Sequence, residues 1–268
     1  MRASLSFLHA VAIASFLFCH ASPAQTISPK PYASIATDGE TYLGPGRSSS
    51  NDLSSKLIRI GLLAPLQGPR KPEGDAMLAA ARMALHDTPT LRNHRIELAI
   101  EDASAPQWGT LSDVILRLVL DDNVVALITS TSASETNLAE QVANRIGLPV
   151  LTLSIDPTTT QINIPWIFRI GPSHAAQVHS IAPDGPTAAS PQEFATRFQA
   201  LTGAPPTNVA TQTYDAVTLT LRALRAAGPN RARVRDQLSH VQAYEGASGQ
   251  ITFDHQGNNH ATHHLEKQ

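Results

Sequence analysis

The chain has 268 residues, a formal net charge of −2, and is 42% hydrophobic and 16% charged. That near-neutral, globular composition gives no electrostatic reason to expect nucleic acid or an anionic membrane surface as a partner. Nineteen prolines and only 5% aromatic residues favour many turns over a coiled coil or helical bundle.

The first 24 residues read as a secretory signal peptide. Arg2 supplies a positive start, "FLHAVAIASFLFC" is too short an apolar run to span a bilayer, and Ser22 and Ala24 suit positions −3 and −1 of a cleavage site. The mature protein is therefore expected to be periplasmic or secreted and not membrane-embedded. Cys19 is the single cysteine, and bulky Phe18 before it argues against lipid attachment, so neither disulfide nor thiol chemistry is expected after cleavage. Residues 25–56 are rich in Ser, Pro, Gly and Thr without apolar periodicity, the pattern of a flexible leader.

From Leu57 the pattern changes. "LIRIGLLAP" reads as a buried strand, 75–86 as a helix, "RIELAIED" as a strand over 95–102, 109–122 as a helix and "VVALIT" as a third strand. "ETNLAEQVANRIG" is a helix closed by Gly147, "LPVLTLS" a fourth strand and "PWIFRIG" a short fifth. This alternation implies an α/β fold with a doubly wound, mostly parallel sheet and helices on both faces.

In such sheets ligands sit outside the carboxyl ends of the strands. There the third strand runs into "TSTSASET", where short hydroxyls meet the N–H groups of an incoming helix, and the fourth runs into Ser154 and "DPTTT". Unpaired amides and the helix dipole suit a carboxylate. The candidate ligand-binding residues are Ser132, Ser134, Ser154, Thr131, Thr152 and Asp156, with Gly68 in the facing turn Pro65–Gly68. The competing reading is helix capping, by Ser134 with Glu135 and Asn137 behind it. Tyr214 and Asp215 are read as structural residues opening a helix over 213–227, Asp215 sitting where its charge suits the dipole. Trp108 and Trp166 are read as packing residues, and Arg169 faces either an anion or solvent.

His255, His260, His263 and His264 cluster near the end, but the segment lacks the rigid spacing of a structural metal site, so no metal or other cofactor is expected. There is no G-x-S-x-G elbow, P-loop, H-E-x-x-H or G-x-G-x-x-G, and Asp102 at a strand end has no visible catalytic partner, so the chain does not read as an enzyme.

Beyond composition and periodicity, the chain resembles the Leu/Ile/Val-type solute-binding proteins of ABC transporters, which have the type I periplasmic binding fold. "IRIGLLAPLQGP" is similar to that family's opening, and "IELAIEDASAPQWGTLSDVILRLVLDDNVVALI" to its second strand and following helix. "ANRIGLPVLTLSIDPTTT", "FATRFQALTGAPPTNVATQTYDAVTLTLRALRAAG" and "YEGASGQITFDHQGN" are similar to later blocks, in the same order. The family pattern departs at the junction, where only 179–189 stands in place of most of a second lobe. The resemblance thus implies one lobe built from 57–178 and 190–259, then a flexible tail, 260–268.

Family members close two lobes on a small solute, so one lobe implies weakened binding of a small carboxylate-bearing solute such as an amino acid. The implied partners are an ABC permease or a second copy of the chain. A protein-interaction or sensory module using the exposed face is the alternative. The family's serine after strand three falls on Ala133, its threonine after strand four on Ile155 or Asp156, and an aromatic of the first turn on Glu73, where an acid is expected to repel a solute carboxylate.

Overall fold

The computed structural model describes residues 41–42, 46–48, 56–91, 94–104, 108–161, 164–172 and 190–260. The expected signal peptide with Cys19 and Ala24, the junction 179–189, the tail beyond His260 and the Trp108 side chain lie outside the described residues.

Strand β1 (Leu57–Ala64) leads through a 3-10 turn at Gly68–Arg70 into α1 (Lys71–Asp87). A short β2 (Thr90–Leu91) turns back into β3 (His94–Asp102), followed by α2 (Trp108–Leu120), β4 (Leu127–Thr129), α3 (Ala133–Ile146), β5 (Val150–Thr152), α4 (Thr158–Gln161) and β6 (Ile167–Pro172). The return segment supplies α5 (Pro191–Thr202), α6 (Asn208–Ala227), α7 (Arg231–Ser239), the hairpin β7 (Tyr244–Gly246) and β8 (Gly249–Ile251), and β9 (Asn258–Asn259).

Seven strands form one sheet in the order β2-β3-β1-β4-β5-β6-β9, parallel except at the β2 edge. Strand order reverses on either side of β1, as it does in a doubly wound sheet. The buried strands read as continuous apolar runs because helices cover both faces. One face buries Ile58, Ile60 and Leu62 of β1 under α1, α5 and α6, through Met77, Phe194, Val217 and Leu221. The other packs Leu63 and Leu127 under α2 and α3, through Ile115, Leu118 and Ala139, with Trp166 at its base.

The return segment belongs to the same layer structure. Strand β9 pairs in parallel with β6, Arg169 opposite Asn258. Asp87 at the end of α1 accepts a hydrogen bond from Tyr214 Oη of α6 at 2.8 Å and one from Arg197 Nη2 of α5 at 2.6 Å. Burial comes first among the causes that push the Tyr214 phenol up to about 12, and its bond to the Asp87 carboxylate acts in the same direction.

Three local readings change. Helix α6 starts at Asn208, capped by Thr207 after Pro205–Pro206, so Asp215 lies inside it and its position has nothing to do with the helix dipole. Instead it is fully buried and accepts from Ala247 N at 2.8 Å and Ser248 N at 2.7 Å, holding the β7–β8 turn. Burial raises its carboxyl to about 6 against those bonds. Arg169 does not face solvent: it is buried, donates to Ile155 O and Asn258 Oδ1, both at 2.8 Å, and has the carboxylates of Asp254 and Asp156 nearby. Part of the expected leader is also held on the lobe. The Tyr42 ring lies edge-on to Trp166 at 4.6 Å, Tyr42 N donates to Asp236 Oδ1 at 3.0 Å, and Arg47 pairs with the same Asp236. These anchors dock into an apolar and an acidic pocket that exist only once the chain has folded.

Candidate functional site

The carboxyl ends of β1, β3 and β4 surround a cavity of about 670 Å³. Its wall from the β1 side is a tightly folded turn. Gly68 takes φ +69°, a left-handed conformation that favours glycine. Gly74, in the first turn of α1, lets the helix sit against the end of β1: a Cβ there would lie 1.9 Å from Pro65 O. This close approach fixes where Arg70 and Glu73 stand.

The β3 side is clasped to that turn. Asp102 Oδ1 accepts from Leu66 N and Ser104 N, both at 2.9 Å, and Oδ2 from Gln67 Nε2 at 2.7 Å. Ser104 Oγ accepts from Gln67 N at 2.8 Å and donates to Gln67 O at 3.0 Å. Desolvation pushes the Asp102 carboxyl up, but the hydrogen bonds from Ser104, Leu66 and Gln67 outweigh it and hold it low. Asp102 therefore locks two loops as a carboxylate.

On the β4 side the alcohols are spoken for. Ser132 caps α3, its Oγ accepting from Glu135 N at 3.3 Å, so the capping role expected of Ser134 falls to Ser132; the two hydroxyls lie 3.0 Å apart. Glu135 folds back on Ser130, accepting from its N at 2.8 Å and its Oγ at 2.7 Å. Burial raises the Glu135 carboxyl to about 7 in spite of these bonds. Thr131 donates from N at 3.1 Å and from Oγ1 at 2.8 Å to Glu73 Oε1. Arg70 grips the same carboxylate in a fork, Nε to Oε2 at 2.9 Å and Nη2 to Oε1 at 2.8 Å, and Nη2 also donates to Ser130 Oγ at 2.7 Å. Burial works to raise the Glu73 carboxyl, and the bonds from Arg70 and Thr131 overcome it and keep it ionised. The Glu73 charge is thus paired with Arg70.

Deeper still, Thr136 Oγ1 lies 3.0 Å from Thr129 Oγ1 and 2.7 Å from Thr152 Oγ1, knitting α3 to β4 and β5 in the core. Thr152 Oγ1 accepts from Ser154 N at 3.0 Å, Ser154 Oγ from Asp156 N at 3.2 Å, and Asp156 Oδ1 from Thr158 N at 2.9 Å.

The structure brings Gly68, Ser132 and Ser134 together on the cavity wall with Gln67, Arg70 and Leu138. Thr131 is exposed and bonded to Glu73 outside the lining, and Thr152, Ser154 and Asp156 form an internal chain that is also outside it. Arg70 and Glu135 were missed as lining residues. The Arg70–Glu73 spacing of three along a helix start was legible, but the meeting with Thr131 was not. Among the described residues no group of three or more His, Cys, Asp or Glu is placed to hold a metal ion. Of the histidine cluster, His260 Nε2 lies 2.7 Å from Asp254 Oδ2, and His263 and His264 lie outside the described residues.

Comparison with known proteins agrees with this architecture. The family model described as periplasmic binding protein matches residues 57–184 and 182–266. No curated protein matches the chain. A leucine-binding protein from Thermotoga maritima superposes with a TM-score of 0.65 at 13% identity, covering 75% of this chain and 93% of that one. The branched-chain amino acid transporter substrate-binding protein of Streptococcus pneumoniae, in complex with isoleucine, gives 0.65 at 14% identity over 76% and 93%. A solute-binding protein of an ABC transporter from Rhodopseudomonas palustris, in complex with 3,4-dihydroxybenzoic acid, gives 0.62 at 13% identity over 76% and 91%. With a mostly parallel sheet wrapped by helices, a cavity at its strand ends and a family match across both halves, this chain belongs to the periplasmic binding protein family.

Proposed function

We propose that the protein binds a small carboxylate-bearing solute non-covalently in the cavity above β1 and β4, as an exported relative of amino-acid-type ABC transporter binding components. The observation that carries this reading is the cavity itself, about 670 Å³ at the carboxyl ends of the strands and walled by Arg70, Ser132 and Ser134. A volume of that order fits an amino acid or a substituted benzoate. The named relatives that bind leucine, isoleucine and 3,4-dihydroxybenzoic acid support the same class.

The described residues form about one lobe, which offers a solute half of an enclosed site. Affinity comes from burying most of a ligand's surface, so binding by a monomer is weak and an ABC permease, or a second copy of the chain, is the natural partner. The interaction-module alternative calls for a broad apolar face. In the described loops at the strand ends Gln67, Thr131, Ser134 and Thr158 are exposed and polar, and Ile155 is the one large apolar side chain exposed there, and this favours solute binding.

Isothermal titration of the secreted form against amino acids and aromatic carboxylates tests the reading. Binding at micromolar or weaker affinity that disappears in Leu138→Arg, which fills the cavity, is the expected result. Absence of any binding, or binding untouched by Leu138→Arg, would overturn it.

A further inference from the structure

Resting on that solute-binding reading, we propose that Glu73 sets the specificity of the cavity: it is a built-in carboxylate that competes with the carboxylate of a solute for Arg70 and Thr131. Arg70 is the one cation among the described residues lining the cavity. A guanidinium recognises a carboxylate best through two parallel N–H bonds, and here Nε and Nη2 already make that fork with Glu73. The two donors of Thr131 go to the same Oε1. Glu73 thus collects four hydrogen bonds from three groups that would otherwise serve an incoming anion. Its side chain is only 16% exposed, and Gly74 holds its helix turn hard against Pro65, so it sits in place without a solute.

The charge balance of the cavity follows. With Arg70 neutralised, Asp102 remains as an ionised carboxylate on the opposite wall. A solute carboxylate that takes the Nε–Nη2 fork of Arg70 has to displace Glu73, and otherwise meets only Nη1 or the hydroxyls of Ser132 and Ser134. The cavity therefore holds a solute carboxylate more weakly than an open Arg70 would, and replacing Glu73 by a neutral residue strengthens that binding while leaving neutral solutes of the same shape unaffected.

Two measurements test this. Benzoate and leucine are titrated into the wild-type protein and Glu73→Gln, with benzamide as the neutral control. A charge-assisted hydrogen bond released to the solute raises carboxylate affinity at least about tenfold, with benzamide unchanged. In parallel, the melting temperature of Glu73→Ala is followed with added formate, which needs only the vacated donors and not the rest of the cavity. Formate stabilises Glu73→Ala by several degrees and leaves the wild type unmoved if Glu73 occupies an anion site.

Carboxylate affinity unchanged or lowered in Glu73→Gln, or formate without effect on Glu73→Ala, would overturn the proposal. If formate stabilises Glu73→Ala while no panel solute binds either protein, the internal competitor stands and it is the solute-binding reading that fails.

Discussion

Arg169 of β6 donates from Nη2 to Asn258 Oδ1 of β9 at 2.8 Å, and the same oxygen accepts from Thr160 of α4. The bond joins the end of the first segment to the end of the return segment at the sheet edge, 89 residues apart in sequence. The remaining nitrogen of the buried guanidinium, Nε, has no hydrogen-bond partner among the described residues, and burial lowers its pKa despite Asp254 and Asp156 nearby. Such a group tolerates little further loss.

Asn258→Ala therefore leaves Arg169 short of a second partner and costs about 1–3 kcal/mol of stability. Chemical denaturation monitored by circular dichroism reads the loss, and limited proteolysis should cut the return segment faster in the variant. Equal stability, or wild-type protein trimmed at the junction with no loss of stability, would show that β9 is a passenger on the sheet.

Thr136 makes the second test. Its hydroxyl links Thr129 and Thr152 in a buried layer, and also donates to Ser132 O at 3.1 Å. Thr136→Val keeps the shape and strands the neighbouring hydroxyls, so a loss of about 1–3 kcal/mol is expected by urea denaturation. No loss would place the hydroxyl cluster outside the stability of the fold.

Gly74→Ala puts a methyl group where Pro65 O already stands, 1.9 Å from the new carbon. The backbone at the end of β1 or the head of α1 has to shift, costing about 1–3 kcal/mol as overpacking does elsewhere. Because Arg70 and Glu73 ride on this turn, any solute affinity should fall together with the melting temperature. A variant unchanged in both would mean that the turn is not held by that contact.

Glu140 of α3 is 1% exposed and its Oε1 has no hydrogen-bond partner among the described residues. Desolvation raises its carboxyl to about 8. The native state then holds its proton above the pH at which the unfolded chain loses it, near 4.5. Stability from this group is fully present below that pH and is lost as pH rises through about 8. Glu135 and Asp215, also raised, add to the same trend over a lower range. Glu140→Gln should flatten the fall in unfolding free energy between pH 6 and pH 9, read by urea denaturation, by an amount on the order of 1 kcal/mol. An identical slope in the variant would show that Glu140 is ionised in the native protein at pH 6.

Several features were legible along the chain because they depend on neighbours in sequence. The alternation of strand and helix from Leu57, the Gly147 stop at φ +67° and the hydrophobic runs of buried parallel strands are local patterns, and the observed order follows them. The helix entry at Asn208 is a local signal too, carried by Thr207 after two prolines, yet it was placed five residues late because apolar periodicity begins only further on.

What the hydroxyl run after β4 does could not be read in this way. Periodicity puts Thr131, Ser132 and Thr152 near the strand ends, but whether each alcohol faces solute, caps a helix or stitches the core depends on which distant group arrives opposite it. Glu73, 58 residues before Thr131, claims one; Thr136 claims another. The sequence by itself determined the layered α/β fold, since burying alternating apolar segments leaves few other arrangements. Only the tertiary structure decided which polar groups stay open, because hydrogen bonds between distant residues are settled by the final approach of β1, α1 and α3 and leave no periodic trace in the chain.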